Sequence, residues 1–330
     1  MRWGTVVAVT AVLVLCGCAA ATLKTMPTLT QSMSSLDCPP ASVKVATAPQ
    51  LRAALTHASP GDVITLANGT YTGAFTATAR GSADHPIYLC GGREAVLQGR
   101  GVDSGYVLHL DGATNWRLLG FSVRNGKKGI MADGVQRVAI GGLSVSHIGD
   151  EAIHLRRASS DNLVFRNTVS STGLREPKFG EGIYVGSAKS NWCGISNCQP
   201  DRSDRNRIVG NDISATTAEA IDIKEGTSHG EISSNRFDGS KISAADSWVD
   251  VKGNDWLIAD NVGTTSPKDG FQTHEVVSGW GRGNRFSGNH AQVDGPGEGF
   301  VFEPPLNNIL DCSNTVSGAA GGFANVKCTR

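Results

Sequence analysis

Seven times along this chain a short apolar run breaks at Gly or Asn and then resumes: RLLGFSV, AIGGLSV, VFRNTVS, IVGNDIS, ISSNRFD, IADNVGT and FSGNHAQ. The recurring residues are Gly120, Gly142, Asn167, Asn211, Asn235, Asn261 and Asn289. Gly and Asn enter the left-handed backbone region most cheaply, so each is expected to form the same tight corner. A second strand follows each corner after a loop: GIMAD, AIHLR, GIYVG, AIDIK, WVDVK, GFQTH and GFVFE. Strand, corner, strand, longer loop and third strand make one coil, and repeating it makes an all-β parallel β-helix, one domain despite its length. The 41 glycines and few aromatics suit such a turn-rich chain.

Period two along a strand sends alternate side chains inward. The inward pairs are predicted as Ile130 and Ala132, Ile153 and Leu155, Ile183 and Val185, Ile221 and Ile223, Val249 and Val251, Phe271 and Thr273, and Phe300 and Phe302. Two outward columns remain. Met131, His154, Tyr184, Asp222, Asp250, Gln272 and Val301 form the first; Asp133, Arg156, Gly186, Lys224, Lys252, His274 and Glu303 form the second. A third series, Glu151, Glu181, Glu219, Asp269 and Glu298, is interrupted by Ser247. Stacked strands lie about 4.8 Å apart, so an acidic series is unfavourable unless a cation or basic group sits within it. Such oxygen-rich clusters suit Ca2+, and Glu181, Glu219, Asp222 and Asp250 are the expected ligands. Solvated faces of a β-helix also carry idle charges, which is the competing reading. The two longest intervals, LREPKFGE at 174–181 and the stretch 187–205 containing CGISNC, flank the Tyr184 strand as cleft walls would. Trp192 in the second wall is placed to stack on a sugar ring or to pack.

The N-terminus reads as an export signal: one arginine, an apolar run from Val6 to Leu15 too short to span a bilayer, then Leu15, Cys16, Gly17 and Cys18. That ending resembles a bacterial lipobox, with Cys18 the acylated residue; a plain secretory signal is the alternative. The expected organisation is signal 1–17, flexible tether 18–37 and β-helix domain 38–330, exported as a cell-envelope lipoprotein or secreted, and monomeric. Export favours disulfides, and the six cysteines beyond the signal pair by closeness as Cys193 with Cys198 and Cys312 with Cys328, leaving Cys38 with Cys90. Thirty acids balance thirty bases, so total charge implies no nucleic acid partner, and membrane contact is expected only through the lipid anchor.

These repeats resemble the right-handed parallel β-helix of the pectin lyase-like superfamily, over roughly residues 43 to 312. TAPQLRAALTHASPGDVITLANGTYTG looks like the start of such enzymes, a short helix whose Leu51 and Leu55 cap the open core. EAIDIKEGTSHGEISSNRF, from Glu219, is similar to polysaccharide lyases of the alginate lyase and chondroitinase B type, which carry a Glu five residues before a catalytic Lys, then an Asn corner. GEGIYVG resembles the preceding coil. The resemblance implies a metal-binding Glu219 and a base at Lys224, acting by β-elimination on an acidic, uronic acid-containing polysaccharide. Two departures stand: Thr217 where that family has a second acid, and WVDVKG with Lys252 where it has an Arg strand. Elimination needs a proton removed beside a carboxylate whose growing charge is neutralised. The expected roles are Lys224 as base, Tyr184 or His154 as proton donor, and Arg156, Lys252 and His274 as uronate contacts. Lys252, Arg156 and a bound metal would lower the Lys224 pKa; without a metal, Glu219, Asp222 and Asp250 would raise it and leave Lys224 a salt-bridge partner. Two alternatives remain: a glycoside hydrolase using Asp222 and Asp250, or a non-catalytic glycan-binding surface β-helix.

Overall fold

The computed structural model describes Met1 and residues 37–330. The expected signal apart from Met1, the expected acylation at Cys18 and all of the expected tether but Asp37 lie outside the described residues. No described helix is long and apolar enough to cross a membrane.

Leu36–Arg330 forms one compact unit, a right-handed parallel β-helix of about ten coils whose three parallel sheets have 11, 10 and 10 strands. Most strands are only three or four residues long. They are held because each hydrogen-bonds to the coil before and the coil after, while its inward side chains stack on their counterparts. The expected inward residues are all buried, and Phe271 lies flat on Phe300 with ring centroids 5.2 Å apart. The helix Ala48–Thr56 closes the N-terminal end. Thr47 caps it, its hydroxyl accepting from the Gln50 amide at 3.4 Å, and Leu51 and Leu55 are buried in the core.

The corners differ from expectation in one respect. Left-handed φ falls on the residue before each asparagine, at Arg166, Gly210, Ser234, Asp260 and Gly288, while Gly120 and Gly142 occupy that position themselves. The asparagines are present for their amides. Asn167, Asn211, Asn235, Asn261, Asn289 and Asn314 form a buried ladder in which each Nδ2 donates to the next Oδ1 at 2.9 Å. Each side-chain oxygen also accepts the backbone N–H of the preceding coil's asparagine, as from Asn211 to Asn235 at 2.8 Å. An amide that both donates and accepts can repeat indefinitely along a stack.

Three disulfides, Cys38–Cys90, Cys193–Cys198 and Cys312–Cys328, tie the first coils, a loop and the last coil.

Candidate active site

Register along the sheet running from Phe75–Ala77 to Gly322–Ala324 places His154 beside Tyr184, Tyr184 beside Asp222, Asp222 beside Asp250 and Asp250 beside Gln272. The outward face is not solvated as an outside would be. Asp222 is 1 % exposed, Asp250 5 %, Lys252 8 % and Tyr184 8 %. Burial strengthens every charge interaction there, because little water remains to screen it.

Two ammonium groups share Asp222: Lys224 Nζ lies 2.5 Å from Oδ2, and Lys252 Nζ 2.8 Å from Oδ1. Lys252 also reaches Asp250 at 2.6 Å, and Asp250 accepts from or pairs with His274 Nδ1 at 2.9 Å. Burial works against the Lys224 charge, yet Asp222, Glu219 and Glu181 outweigh it and raise its pKa. That is the expected direction for Asp222 and Glu219 by themselves; the lowering is the expected effect of Lys252, Arg156 and a bound metal. Lys252 follows the same pattern, burial opposed by Asp222 and Asp250, with a raised pKa. The bond to Asp250, more than burial, raises His274.

On the other side of Asp222, one oxygen from each of Glu181, Glu219 and Asp222 lies within 4.8 Å of the others. Burial first, and the neighbouring carboxylates second, push Glu181 well above the usual carboxyl range and Glu219 up to about 7. Glu181 Oε2 is buried without a hydrogen-bond partner. Asp250, expected in this group, is instead bound to Lys252 and His274.

A cleft of about 620 Å³ opens over the Tyr184 strand. Tyr184, Lys224, His154, Arg156 and Glu181 line it; Lys252, His274, Asp222, Asp250, Glu219 and Trp192 do not. Lys224 Nζ sits 5.0 Å from the Tyr184 ring centre. The Tyr184 hydroxyl has no hydrogen-bond partner among the described residues; burial, with Asp222 and Glu181, raises its pKa well above 10. His154 packs edge-on against Tyr184 at 4.4 Å between centroids, and its Nε2 is 2.9 Å from the Gly186 carbonyl. Its Nδ1 lies 3.4 Å from Glu151 but makes no hydrogen bond among the described residues. Arg156 is tied to Asp133 at 2.7 Å and to the Tyr106 hydroxyl at 3.4 Å. Trp192 is 7 % exposed and donates Nε1–H to the Ser187 carbonyl at 2.8 Å, the packing use of the two foreseen.

The two long intervals do form walls. In the second, the Lys189 amide donates to buried Glu225 at 2.6 Å, and Asp201, fully buried, accepts from the Arg157 and Ala158 amides and the Ser187 and Ser203 hydroxyls. Missed by sequence reasoning were the cationic lining residues Lys127, Lys128, Arg175 and Lys178. Lys127 and Lys128 sit just ahead of the GIMAD strand, one coil before His154, and only the coil stacking brings them to this cleft.

Among solved structures, the chain is similar to an alginate lyase from Paenibacillus sp. str. FPU-7, with a TM-score of 0.81 and 36% identity over 86% of this chain and 99% of that one. A pectate lyase matches at TM-score 0.53 and 17% identity over 81% of this chain and 72% of that one. A polygalacturonase from Erwinia carotovora ssp. carotovora matches at TM-score 0.57 and 11% identity over 90% and 98%. At those identities the last two share the fold alone. No family model and no curated protein sequence matches the chain.

Proposed function

The chain belongs to the family of that Paenibacillus alginate lyase and is a polysaccharide lyase-like enzyme, and on that premise we propose that it cleaves alginate by β-elimination in the cleft over Tyr184 and Lys224. The observation that carries this is the pair itself: a phenol and an amine, 5.0 Å from ring centre to nitrogen, lining one cleft of about 620 Å³. A cleft of this volume lies within the range of about 300–1,000 Å³ common for ligand sites.

Lys224, whose pKa Asp222, Glu219 and Glu181 raise against burial, is assigned as the donor to the departing glycosidic oxygen. Tyr184 first gives up its phenolic proton to solvent, and the phenolate so formed removes the proton beside the uronate carboxylate. The electron pair of that C–H bond forms the new double bond as the C–O bond to the leaving sugar breaks, and the oxygen takes the Lys224 proton. Arg156, held by Asp133 and Tyr106, presents a fixed positive charge to a uronate. His154 supports the Tyr184 ring. Lys252 and His274 act behind Asp222 and Asp250, below the reacting groups.

The orphaned Glu181 oxygen beside Glu219 and Asp222 fits a hard, oxygen-seeking cation. Those three residues would hold calcium, which supplies positive charge for the uronate carboxylate when bound. The hydrolase alternative lacks its geometry, since Asp222 and Asp250 share Lys252 and neither lines the cleft. Export is supported by the three disulfides.

The test is incubation with alginate, pectate and a glycosaminoglycan, with and without chelator, reading the ultraviolet absorbance of the unsaturated product. New reducing ends without that absorbance would replace elimination by hydrolysis; binding without either would leave a glycan-binding module.

A further inference from the structure

The loop at 174–181 is fixed along its backbone, and the Lys178 side chain at its tip has no ion-pair partner among the described residues. Its base is held by the Leu174 amide on the Ile148 carbonyl at 3.1 Å, by Arg175 on Asp150 at 2.8 Å, and by the Thr172 hydroxyl on the Gly180 carbonyl at 2.5 Å. Thr217 completes the anchor: its hydroxyl donates to the Pro177 carbonyl at 2.8 Å. The chain can approach that closely because positions 173 and 180 are glycines; a side chain on either would collide with the Thr217 hydroxyl. The residue that departs from the lyase pattern thus has a structural use in this chain, as the pin of this loop.

The tip, Pro177–Phe179, carries Lys178 and Phe179, and both line the cleft. Phe179 is 50 % exposed, as is its loop neighbour Leu174 at 51 %, but of the two only Phe179 lines the cleft. Lys178 differs from the other cleft cations. Lys127, Lys128, Arg156, Arg175 and Lys224 each have a carboxylate within ion-pair distance, and Lys178 has none among the described residues. A free ammonium next to a free aromatic face matches a uronate unit, which offers a carboxylate and an apolar C–H face.

We infer that Lys178 and Phe179 form a pre-set subsite for a uronate unit beside the one that reacts, Lys178 pairing with its carboxylate and Phe179 stacking on its ring. This deepens, and rests on, the reading of the cleft as a uronate site. Fixing the loop beforehand lowers the ordering loss on binding, so affinity grows with chain length once the polymer reaches the tip.

The experiment uses the full chain and alginate oligomers of defined length: short ones that fill only the reacting site, and long ones that reach the loop. Binding is measured by calorimetry and cleavage by absorbance. For K178Q combined with F179A, Kd and KM for long oligomers rise about tenfold, a change of about 1.4 kcal/mol. Short-oligomer values and kcat stay within about twofold, a difference too small to count as loss of a contact. Both residues are exposed, so the variant should fold. Equal weakening for short and long oligomers, or none, overturns the subsite. If the wild type cleaves and the variant's KM is unchanged, the subsite falls and elimination stands. If the wild type binds with length-dependent affinity lost in the variant but makes no unsaturated product, the subsite stands and elimination falls. A wild type that binds no oligomer overturns both.

Discussion

Two stacks of polar residues run along this β-helix, and they respond to repetition in opposite ways. The asparagine ladder from Asn167 to Asn314 is buried and neutral: between its two ends every amide gives one hydrogen bond up the stack and receives another. The acidic stack around Glu181, Glu219, Asp222 and Asp250 is buried too, yet carboxylates only accept, so like charges face one another until ammonium groups, protons or a cation intervene. A side chain repeated along stacked coils stabilises the fold when it is both donor and acceptor. When it is only one of these, the stack stores an electrostatic demand that a substrate or ion can answer.

The contrast predicts a double dissociation, and its widest arm is catalytic. Tyr184→Phe or Lys224→Met should each lower kcat by about 10²–10⁴, while thermal unfolding moves by no more than a few degrees. An active Y184F enzyme would remove Tyr184 as base. The ladder should behave conversely. Asn235→Asp keeps the shape but deletes the donor to Asn261 and to the Ile208 carbonyl, so the fold should lose about 2–4 kcal/mol. Activity per folded molecule should hold, checked by denaturant unfolding beside kinetics on the same sample. A neutral N235D would mean that ladder bonds are replaceable by water.

The pH profile sharpens the comparison next. Tyr184 has its pKa raised, so at neutral pH only a small fraction is phenolate. Below that pKa, kcat/KM should rise with pH, at most about tenfold per unit. Against burial, Asp222, Glu219 and Glu181 raise the Lys224 pKa as well. A flat or falling alkaline profile would exclude a tyrosinate base.

A smaller effect concerns stability. Glu219 titrates near 7 in the fold against 4.5 as its ordinary value. A raised pKa means that the folded state holds the proton more tightly, so its stabilisation is full below 4.5 and is lost as pH rises through about 7. Chelated protein should therefore lose melting temperature across that window, Glu219→Gln should blunt the loss, and calcium should restore more stability at pH above 7 than below 4.5. Equal calcium shifts at both ends would show that protons and cation do not compete at this cluster.

Much of the site's geometry was legible beforehand. The columns Tyr184, Asp222 and Asp250, and Lys224 and Lys252, are arranged as period-two reading and coil stacking dictate, and Leu51 and Leu55 do cap the core. The corner asparagines were found for the wrong reason. Their recurrence was read as backbone freedom, although the left-handed residue is the one before, where Arg166, Ser234 and Asp260 show that the position tolerates several side chains. Hydrogen bonding between coils leaves no mark on local sequence pattern beyond the recurrence itself.

Sequence alone determined the winding, the inward residues and which side chains share a column, because strand alternation and a repeated coil are local rules that every coil obeys. Tertiary structure decided how deep each column lies, which charges meet and which loop residues overlook the cleft. Contact set the sign of the Lys224 shift: burial alone would lower its pKa, and the touching Asp222 with Glu219 and Glu181 raises it. Protonation depends on distance and on the water excluded, and neither is written in the order of the residues.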